Sequence, residues 1–348
     1  MRKLINRQWR VARYPANDEP MSSALFEWCE TPVPQPQANE FVVKTIYLAP
    51  GPALRGYLDP GHAPFFGNVP LGEVMRGRGI GQIIESRHPD YAVGEYFVGS
   101  LGWQDYSVQQ PRGKEFIFST KKISNPLKPL SLELGILGQS GATAYFGLLE
   151  AGRVKPGDNV LISAAAGGVG SAAGQIARIK GANNVVGLAG SDKKCRWLID
   201  ELQFDRALNY TSDHFDAELS AAFPGGIDLF FDSVGGDVLN TALAHLARHA
   251  RVALCGFIAT DYYPTAAAGP INYRYLLYQR ATMQGFIVFD YWERFTEAEN
   301  ALRGWHQSGE LKLCEDVTDG LEHMPSAVQD LFSGNNYGVK ICRVCAET

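Results

Sequence analysis

The sequence predicts an α/β protein in which a doubly wound parallel sheet follows a separate, β-rich domain. From residue 159 onward, apolar runs of strand length alternate with helical stretches, which is the pattern of a parallel sheet covered on both faces. Before about residue 125, short runs rich in valine, tyrosine and phenylalanine are interrupted by proline and glycine, which indicates β-structure. In addition, glycines cluster in the turn after the first strand of the alternating part.

Composition excludes several classes of protein. The 348 residues suffice for two domains, and 45% hydrophobic with 20% charged residues is ordinary for a globular protein. The net charge of −5 and the lack of a basic stripe argue against a nucleic-acid partner. No apolar run reaches the roughly 18–20 residues of a membrane span, and the basic N-terminus lacks the apolar stretch of a secretory signal. Six scattered cysteines favour reduced thiols and a cytoplasmic location.

The β-rich part should contain strands at 41–48, 79–85, 96–99 and 103–108. A long loop at 49–69, rich in proline and glycine, separates the first two and has the composition of a functional loop or of a passive surface loop. We expect a final strand at 337–344 to return to this domain after a helix at 291–307. The predicted domains are therefore 1–127, completed by about 309–348, and 128–308.

The alternating part opens with a strand, a glycine-rich turn, a helix and a second strand. The turn runs from Ala164 to Gly170, with glycine at 167, 168 and 170 and valine at 169. A pyrophosphate group binds against bare backbone at a helix N-terminus, where N–H groups and the helix dipole favour an anion. Ala165 occupies the first position of Gly-x-Gly-x-x-Gly. The alternative is an ordinary βαβ turn in which small residues serve packing alone.

The end of the second strand indicates which dinucleotide binds. A site selective for NAD places an acidic residue there to bind the ribose hydroxyls. Here the strand ends in glycine, and Ser191, Asp192, Lys193 and Lys194 follow. Space and positive charge suit a 2′-phosphate, so the sequence favours NADPH. Two alternatives remain: Asp192 could take the acidic role, and one of the two lysines could belong to a solvated helical turn.

The remaining elements place further polar groups near this site. Ligands of such sheets bind beyond the carboxyl ends of the strands, where Tyr210, Ser233 and the Cys255-Gly256 pair should lie. A helix rich in small residues at 138–147 could approach a cofactor or another helix closely, and we take Thr143 as its candidate cofactor contact. The other predicted strands are 207–210, 227–232, 251–256 and 283–288, and the other predicted helices are 193–202, 213–222 and 237–248.

Several separate motifs, in order along essentially the whole chain, resemble one family. They lie at 72–77, 102–104, 164–170, 189–192, 232–236, 255–256, 284–288 and 334–336. The chain resembles the zinc-independent medium-chain dehydrogenase/reductases, in the branch of the prostaglandin reductases (leukotriene B4 12-hydroxydehydrogenases), plant 2-alkenal reductases and bacterial curcumin reductases. The resemblance implies a GroES-like β domain, a Rossmann domain, a nicotinamide cleft between them and a homodimer.

The resemblance also implies roles for individual residues. The phosphate-binding lysine of the family falls on Lys194, the tyrosine near the 2′-phosphate on Tyr210, and the C-terminal asparagine on Asn336. The family's backbone contacts to the cofactor fall on Gly167, Gly168, Val169, Gly170, Cys255, Gly256, Phe257, Ile258, Phe286, Ile287 and Val288. Ser191 and Ser233 complete the predicted cofactor site.

The chain departs from related groups at informative positions. Zinc-dependent relatives carry Gly-His-Glu in the N-terminal domain, whereas this chain has Leu71-Gly72-Glu73 and no four-cysteine lobe, so no catalytic zinc is expected. Many relatives have asparagine where this chain has Ser233. The prostaglandin reductases have Asp-Pro-Tyr-Met-Arg where this chain has Gly-Pro-Ala-Leu-Arg at 51–55. The missing aromatic disfavours an eicosanoid substrate and resembles the bacterial branch.

The favoured reaction is reduction of an activated C=C bond by NADPH, in an α,β-unsaturated ketone or aldehyde. It requires an oriented nicotinamide and a donor to the developing enolate oxygen. Tyr262 is the first candidate donor and Tyr57 the second, although either could instead pack at the cleft wall. The alternatives are an NADPH quinone oxidoreductase and a non-catalytic NADPH-binding protein.

Overall fold

The computed structural model describes residues 4–16, 19–61, 67–111, 120–259 and 269–347. Internal contacts divide the chain into two units. The first comprises Met1–Gly135, Asp316–Asn335 and Lys340–Thr348, and the second comprises Ile136–Glu315 and Asn336–Val339. The short segment at 336–339 belongs to the second unit, although the residues on both sides of it belong to the first. Two hydrogen bonds attach it there: the Gly338 N–H donates to the Ala166 carbonyl and the Val339 N–H to the Cys314 carbonyl.

The first unit is built from a two-stranded hairpin and a seven-stranded sheet. The hairpin pairs β1 (Ile5–Val11) with β2 (Phe26–Pro32). The sheet has the order β14-β15-β3-β4-β5-β7, and β6 pairs with β3. Its strands are β3 (Phe41–Ala49), β4 (Arg78–Ser86), β5 (Tyr96–Ser100), β6 (Tyr106–Gln109), β7 (Lys121–Ile123), β14 (Glu315–Asp319) and β15 (Val339–Arg343).

Three of the four strands predicted here are confirmed to within one residue at each end. The fourth was predicted to begin at 103, but it begins at Tyr106, and Trp103 is instead a fully buried side chain in the preceding turn. The hairpin was missed because its strands are rich in polar residues. Asn6, for example, is 1% exposed and donates to the Tyr106 carbonyl, which no local pattern reveals. The β-rich part also carries α8 (Met324–Phe332).

The second unit is the predicted doubly wound parallel sheet, with the order β10-β9-β8-β11-β12-β13. Its strands are β8 (Asn159–Ile162), β9 (Asn184–Ala189), β10 (Arg206–Asn209), β11 (Ile227–Asp232), β12 (Leu246–Leu254) and β13 (Thr282–Gly285). Its helices are α1 (Gln139–Phe146), α2 (Gly168–Ile179), α3 (Asp192–Leu202), α4 (Phe215–Ala222), α5 (Gly236–Ala244), α6 (Arg274–Gln279) and α7 (Phe295–Gln307). The strand order reverses between β8 and β11, which is where such sheets bind ligands.

Two predicted helices have different limits in the structure. The helix predicted at 237–248 ends at Ala244, because the chain turns at once into β12, whose Leu246 pairs with Ile227 of β11. The helix predicted at 291–307 begins at Phe295, after a 3₁₀ segment over Val288–Arg294. The predicted return of the last strand is confirmed, since β15 pairs with β3 in the register Cys342 to Leu48. Among the described residues, no helix combines the length and apolarity needed to cross a membrane.

Candidate functional site

The glycine-rich turn lies between β8 and α2 and is closed by its own backbone. The Gly167 N–H donates to the Ala164 carbonyl at 2.9 Å, and Ala164 adopts a positive φ of 45°. A Cβ on Gly170 would lie 2.3 Å from the Ala164 oxygen, and one on Gly168 would lie 2.8 Å from Val339 Cγ2. Packing therefore requires glycine at 168 and 170, which is the role that a βαβ turn with small residues for packing would give them. Gly167 to Val169 nevertheless remain half-buried at the helix N-terminus, where an anion can be received.

Ala165 is compatible with the tight turn for a specific packing reason. Its side chain is fully buried, and its N–H donates to the Leu188 carbonyl of β9 at 3.0 Å. A Cβ on Gly187 would lie 2.9 Å from the Ala165 methyl. Glycine at 187, on the neighbouring strand, thus leaves the space that the Ala165 methyl occupies.

The carboxyl ends of β8, β11 and β12 are joined through Asp232, by its buried carboxylate and by its backbone carbonyl. Ser163 Oγ donates to its Oδ1 at 2.7 Å, and the N–H groups of Val234 and Gly235 donate to its two oxygens at 3.0 Å. The Cys255 N–H donates to the Asp232 carbonyl at 2.7 Å. Burial raises the pKa of Asp232, and the three hydrogen bonds oppose that shift. The network holds the turn that carries Ser233 in place.

Asp232→Asn should lower the free energy of unfolding by about 1–3 kcal/mol, because the amide NH₂ would face a hydrogen-bond donor inside a dry site. Thermal melting of the variant checks this. Asp200→Asn, an exposed position on α3, is the matched control and should melt like the parent. Equal melting of both variants would mean that the carboxylate does not hold the strand ends.

The end of β9 forms the second part of the site. Ser191 caps α3, and its hydroxyl accepts from the Lys194 N–H at 3.4 Å. Lys194 is 8% exposed, and its Nζ lies 5.4 Å from the ring centroid of Tyr337. The Asp192 carboxylate accepts from Asn209 Nδ2 at 2.9 Å, so an acidic role toward a ribose would compete with this hydrogen bond.

Tyr210 stands beside the same strand end. Its N–H donates to the Ala189 carbonyl at 3.1 Å, and its ring is 40% exposed. A Cβ on Gly190 would lie 2.9 Å from the Tyr210 hydroxyl oxygen. The phenol therefore covers Gly190, and Ser191 and Lys194 follow in the first turn of α3.

The loops after β11 and β12 contact each other through backbone. The Ile258 N–H donates to the Ser233 carbonyl at 3.3 Å, and the Gly256 N–H to the Asp232 carbonyl at 3.3 Å. Burial raises the pKa of Cys255 to about 12, so its thiol stays protonated. The ring of Phe257 is 41% exposed. This rim can offer backbone groups and an apolar ring to a ligand.

Four further predicted contacts differ in the groups that they expose. Phe286 and Val288 are buried, and the Phe286 ring packs 6.2 Å from that of Phe231, so these two residues can offer only backbone. Ile287, between them, is 38% exposed. The Thr143 hydroxyl donates within α1 to the Gln139 carbonyl at 2.7 Å.

Of the two candidate tyrosines, the structure describes only Tyr57. Tyr57 belongs to the first unit, is 9% exposed, and has the Arg76 guanidinium carbon 4.7 Å from its ring centroid. Tyr262 lies outside the described residues. Sequence reasoning did not single out two aromatic residues that lie at the first turns of α3: Tyr337 and Trp197, whose ring centroids are 5.3 Å apart. Neither matches a motif, and only the neighbour Asn336, buried and donating to the Gly338 carbonyl, carried a sequence signal.

Comparison with known proteins shows which family of proteins this chain resembles over most of its length. Two family models match: "N-terminal domain of oxidoreductase" over residues 7–117 and "Zinc-binding dehydrogenase" over residues 168–303. The putative NADP-dependent oxidoreductase YfmJ of Bacillus subtilis is 38% identical, with 97% of each chain covered. The NADPH-dependent curcumin reductase of Escherichia coli is 35% identical, with 99% of each covered. The crystal structure of CurA from Vibrio vulnificus in complex with NADPH has a TM-score of 0.90 and 32% identity, covering 98% of this chain and 100% of that one.

A GroES-like β-rich unit and a Rossmann unit with a glycine turn define a class of nucleotide-dependent oxidoreductases. The chain belongs to the medium-chain dehydrogenase/reductase family, in the branch that holds the curcumin, 2-alkenal and prostaglandin reductases.

Proposed function

We propose that this protein uses NADPH to reduce the C=C bond of α,β-unsaturated ketones and aldehydes. The observation that carries the proposal is the end of β9, where the Tyr210 hydroxyl covers Gly190, Lys194 lies in the first turn of the following helix, and the Asp192 carboxylate accepts from Asn209. This site suits a 2′-phosphate. Relatives that match 89–99% of this chain are described as an NADPH-dependent curcumin reductase, a 2-alkenal reductase and a pulegone reductase.

The cofactor would lie along the carboxyl ends of the strands. The N–H groups of Gly168 and Val169, in the first turn of α2, would receive the pyrophosphate, since the Gly167 N–H already donates to the Ala164 carbonyl. Lys194 and Tyr210 would hold the 2′-phosphate, assisted by the Ser191 hydroxyl. The rest of the proposed cofactor site consists of Thr143, Gly167, Gly168, Val169, Gly170, Ser233, Cys255, Gly256, Phe257, Ile258, Phe286, Ile287, Val288 and Asn336.

When bound, NADPH supplies the hydride that is added to the β-carbon of the substrate. Negative charge then develops on the carbonyl oxygen, and the α-carbon takes up a proton. A tyrosine hydroxyl of this chain would donate a hydrogen bond to that oxygen and stabilise the enolate. The proposed reaction does not involve a catalytic zinc ion. The segment Leu71-Gly72-Glu73 lacks the histidine with which the zinc-dependent relatives hold one.

The test is cofactor consumption with three acceptors: a simple linear enone, curcumin and a benzoquinone. Each is assayed with NADPH and with NADH, in the presence and absence of EDTA. NADPH oxidation with the enone, insensitive to EDTA, supports the proposal. Oxidation with the quinone alone would favour a quinone oxidoreductase, and tight NADPH binding without turnover would favour a non-catalytic protein.

The two tyrosines can be separated by removing one hydroxyl at a time. If Tyr262 is the donor, Tyr262→Phe should lower kcat for the enone by about 10²-fold or more, while Tyr57→Phe changes it by only a few-fold. The reverse result would assign the role to Tyr57. The pH profile of kcat provides the second readout, since loss of the donor should remove a titration. Full activity of both variants would assign the proton to water or to the cofactor ribose.

We further propose a homodimer formed through the outer edge of the Rossmann sheet. In the described part of the chain β13 is the edge strand, and all its residues are exposed. The helical segments that precede it in the chain expose large apolar side chains: Ile271 is 75% exposed, Leu277 76% and Tyr278 58%. An apolar face beside a bare strand edge is characteristic of an interface. A second copy related by a two-fold axis would present the same edge and the same apolar side chains.

Leu277→Asp should convert the dimer to a monomer, because a carboxylate would be buried against the apolar face of the partner. Sedimentation equilibrium measures the mass. Val93→Asp introduces the same charge at a position 63% exposed in the first unit and should leave the dimer intact. A parent protein that is monomeric, or a variant that remains dimeric, would contradict this interface.

A cytoplasmic location is proposed on the state of the cysteines. All six, at positions 29, 195, 255, 314, 342 and 345, are free thiols. Burial raises the pKa of the Cys314 thiol to about 11 and that of Cys342 to about 12, so both stay protonated. Unpaired cysteines are typical of a reducing compartment. The negative net charge supports small molecules, not nucleic acid, as partners.

A further inference from the structure

Tyr337 lies against the first turn of α3, where two consecutive lysines stand. Its ring centroid is 5.7 Å from Lys193 Nζ and 5.4 Å from Lys194 Nζ. Trp197 meets the same ring edge-on, with centroids 5.3 Å apart and planes at 76°. One tyrosine ring therefore contacts both cations and an aromatic side chain of the same helix.

The backbone that follows Tyr337 is attached to the glycine-rich turn, and the preceding Asn336 is attached to that backbone. The Gly338 N–H donates to the Ala166 carbonyl at 2.8 Å, and Asn336 Nδ2 donates to the Gly338 carbonyl at 3.2 Å. Gly338 has a φ of 68°, and a Cβ there would lie 2.1 Å from the Cys314 carbonyl oxygen. The segment is held in one conformation, so the ring has a defined position relative to the pyrophosphate turn.

The Tyr337 ring also affects the electrostatic repulsion between the ammonium groups of Lys193 and Lys194. Two ammonium groups beside one ring repel each other, and the negative face of the ring offsets part of that repulsion. Among the described residues, no carboxylate lies within ion-pairing distance of Lys193, and the adjacent Asp192 accepts from Asn209. A dianionic phosphate placed at this strand end would interact with both ammonium groups.

We propose that Tyr337 is a positioning residue: its ring holds the ammonium groups of Lys193 and Lys194 toward the 2′-phosphate and thereby determines the preference for NADPH over NADH. Trp197 fixes the ring orientation. Lys193 becomes a second phosphate ligand in place of a solvated surface lysine. This inference rests on the proposed function, because it requires a 2′-phosphorylated cofactor.

The test is calorimetric binding to the cofactor-free protein, which does not depend on turnover. Three ligands are compared: NADPH, NADH and adenosine 2′,5′-bisphosphate, which carries the phosphate without the nicotinamide. Tyr337→Leu should weaken NADPH and the bisphosphate by about tenfold and change NADH by less than about twofold. Tyr337→Phe retains the ring and should restore the parent values. Tyr96→Leu is the matched control, because Lys128 Nζ lies 5.3 Å from that ring in the other unit.

The binding results distinguish failure of this inference from failure of the proposed cofactor. Equal weakening of NADPH and NADH by Tyr337→Leu would show a merely structural role for the ring and overturn the inference. Unchanged binding of the bisphosphate, or failure of Tyr337→Phe to restore it, would do the same. A parent protein that binds NADH as tightly as NADPH would overturn the proposed cofactor itself, together with this inference.

Discussion

Lys194→Met is expected to weaken NADPH binding by roughly ten- to a hundredfold while leaving NADH binding almost unchanged. A charged hydrogen bond to phosphate contributes about 1.5–3 kcal/mol, and each 1.4 kcal/mol is a tenfold change in affinity. Methionine is the variant of choice because Lys194 is only 8% exposed. It keeps an unbranched apolar stem of similar length in the buried space and removes only the charge.

Lys180→Met provides the control for this experiment. Lys180 lies in the same unit, at the end of α2, and its Nζ is 5.1 Å from the ring centroid of Trp305. The control thus loses a lysine and an aromatic contact without touching the end of β9. Its affinities for both cofactors should match those of the parent. Equal loss of NADPH and NADH affinity in Lys194→Met would remove the phosphate role from this residue.

Gly170→Ala is expected to weaken both cofactors together, by at least about tenfold, and to lower stability by about 1–3 kcal/mol. The added Cβ would lie 2.3 Å from the Ala164 oxygen and 2.7 Å from the Ala165 Cα. These are backbone atoms, so the turn itself must move. The N–H groups of Gly168 and Val169 would move with it, away from the position proposed to receive the pyrophosphate.

The matched control is Gly225→Ala, at the opposite end of the sheet, where a Cβ would meet no heavy atom within 4 Å. Its melting temperature and both affinities should be unchanged. The contrast with Lys194→Met is informative, since one variant alters discrimination between the cofactors and the other alters both equally. Parent-like binding by Gly170→Ala would mean that the turn does not hold the cofactor.

Local patterns were sufficient where the neighbours that matter are close in sequence. The glycine turn and the strands β3, β4, β9 and β11 follow from residues a few positions apart. The hairpin of β1 and β2 did not, because its polar residues are satisfied by distant partners: Arg7 Nε donates to Asp105 Oδ2 at 2.8 Å. The early start of β12 was missed for the same kind of reason, since its pairing with β11 overrides the helical pattern before it.

The sequence by itself determined the alternating parallel sheet, the position of its glycine-rich turn and the basic character of the β9 end. Each of these follows from apolar periodicity, glycine or charge, which are properties of contiguous residues. Tertiary structure alone decided that Asp232 joins three strand ends through Ser163, Val234 and Cys255. It also brought Tyr337 against Lys193 and Lys194. These contacts join segments far apart in the chain, and only folding determines which distant side chains share a site.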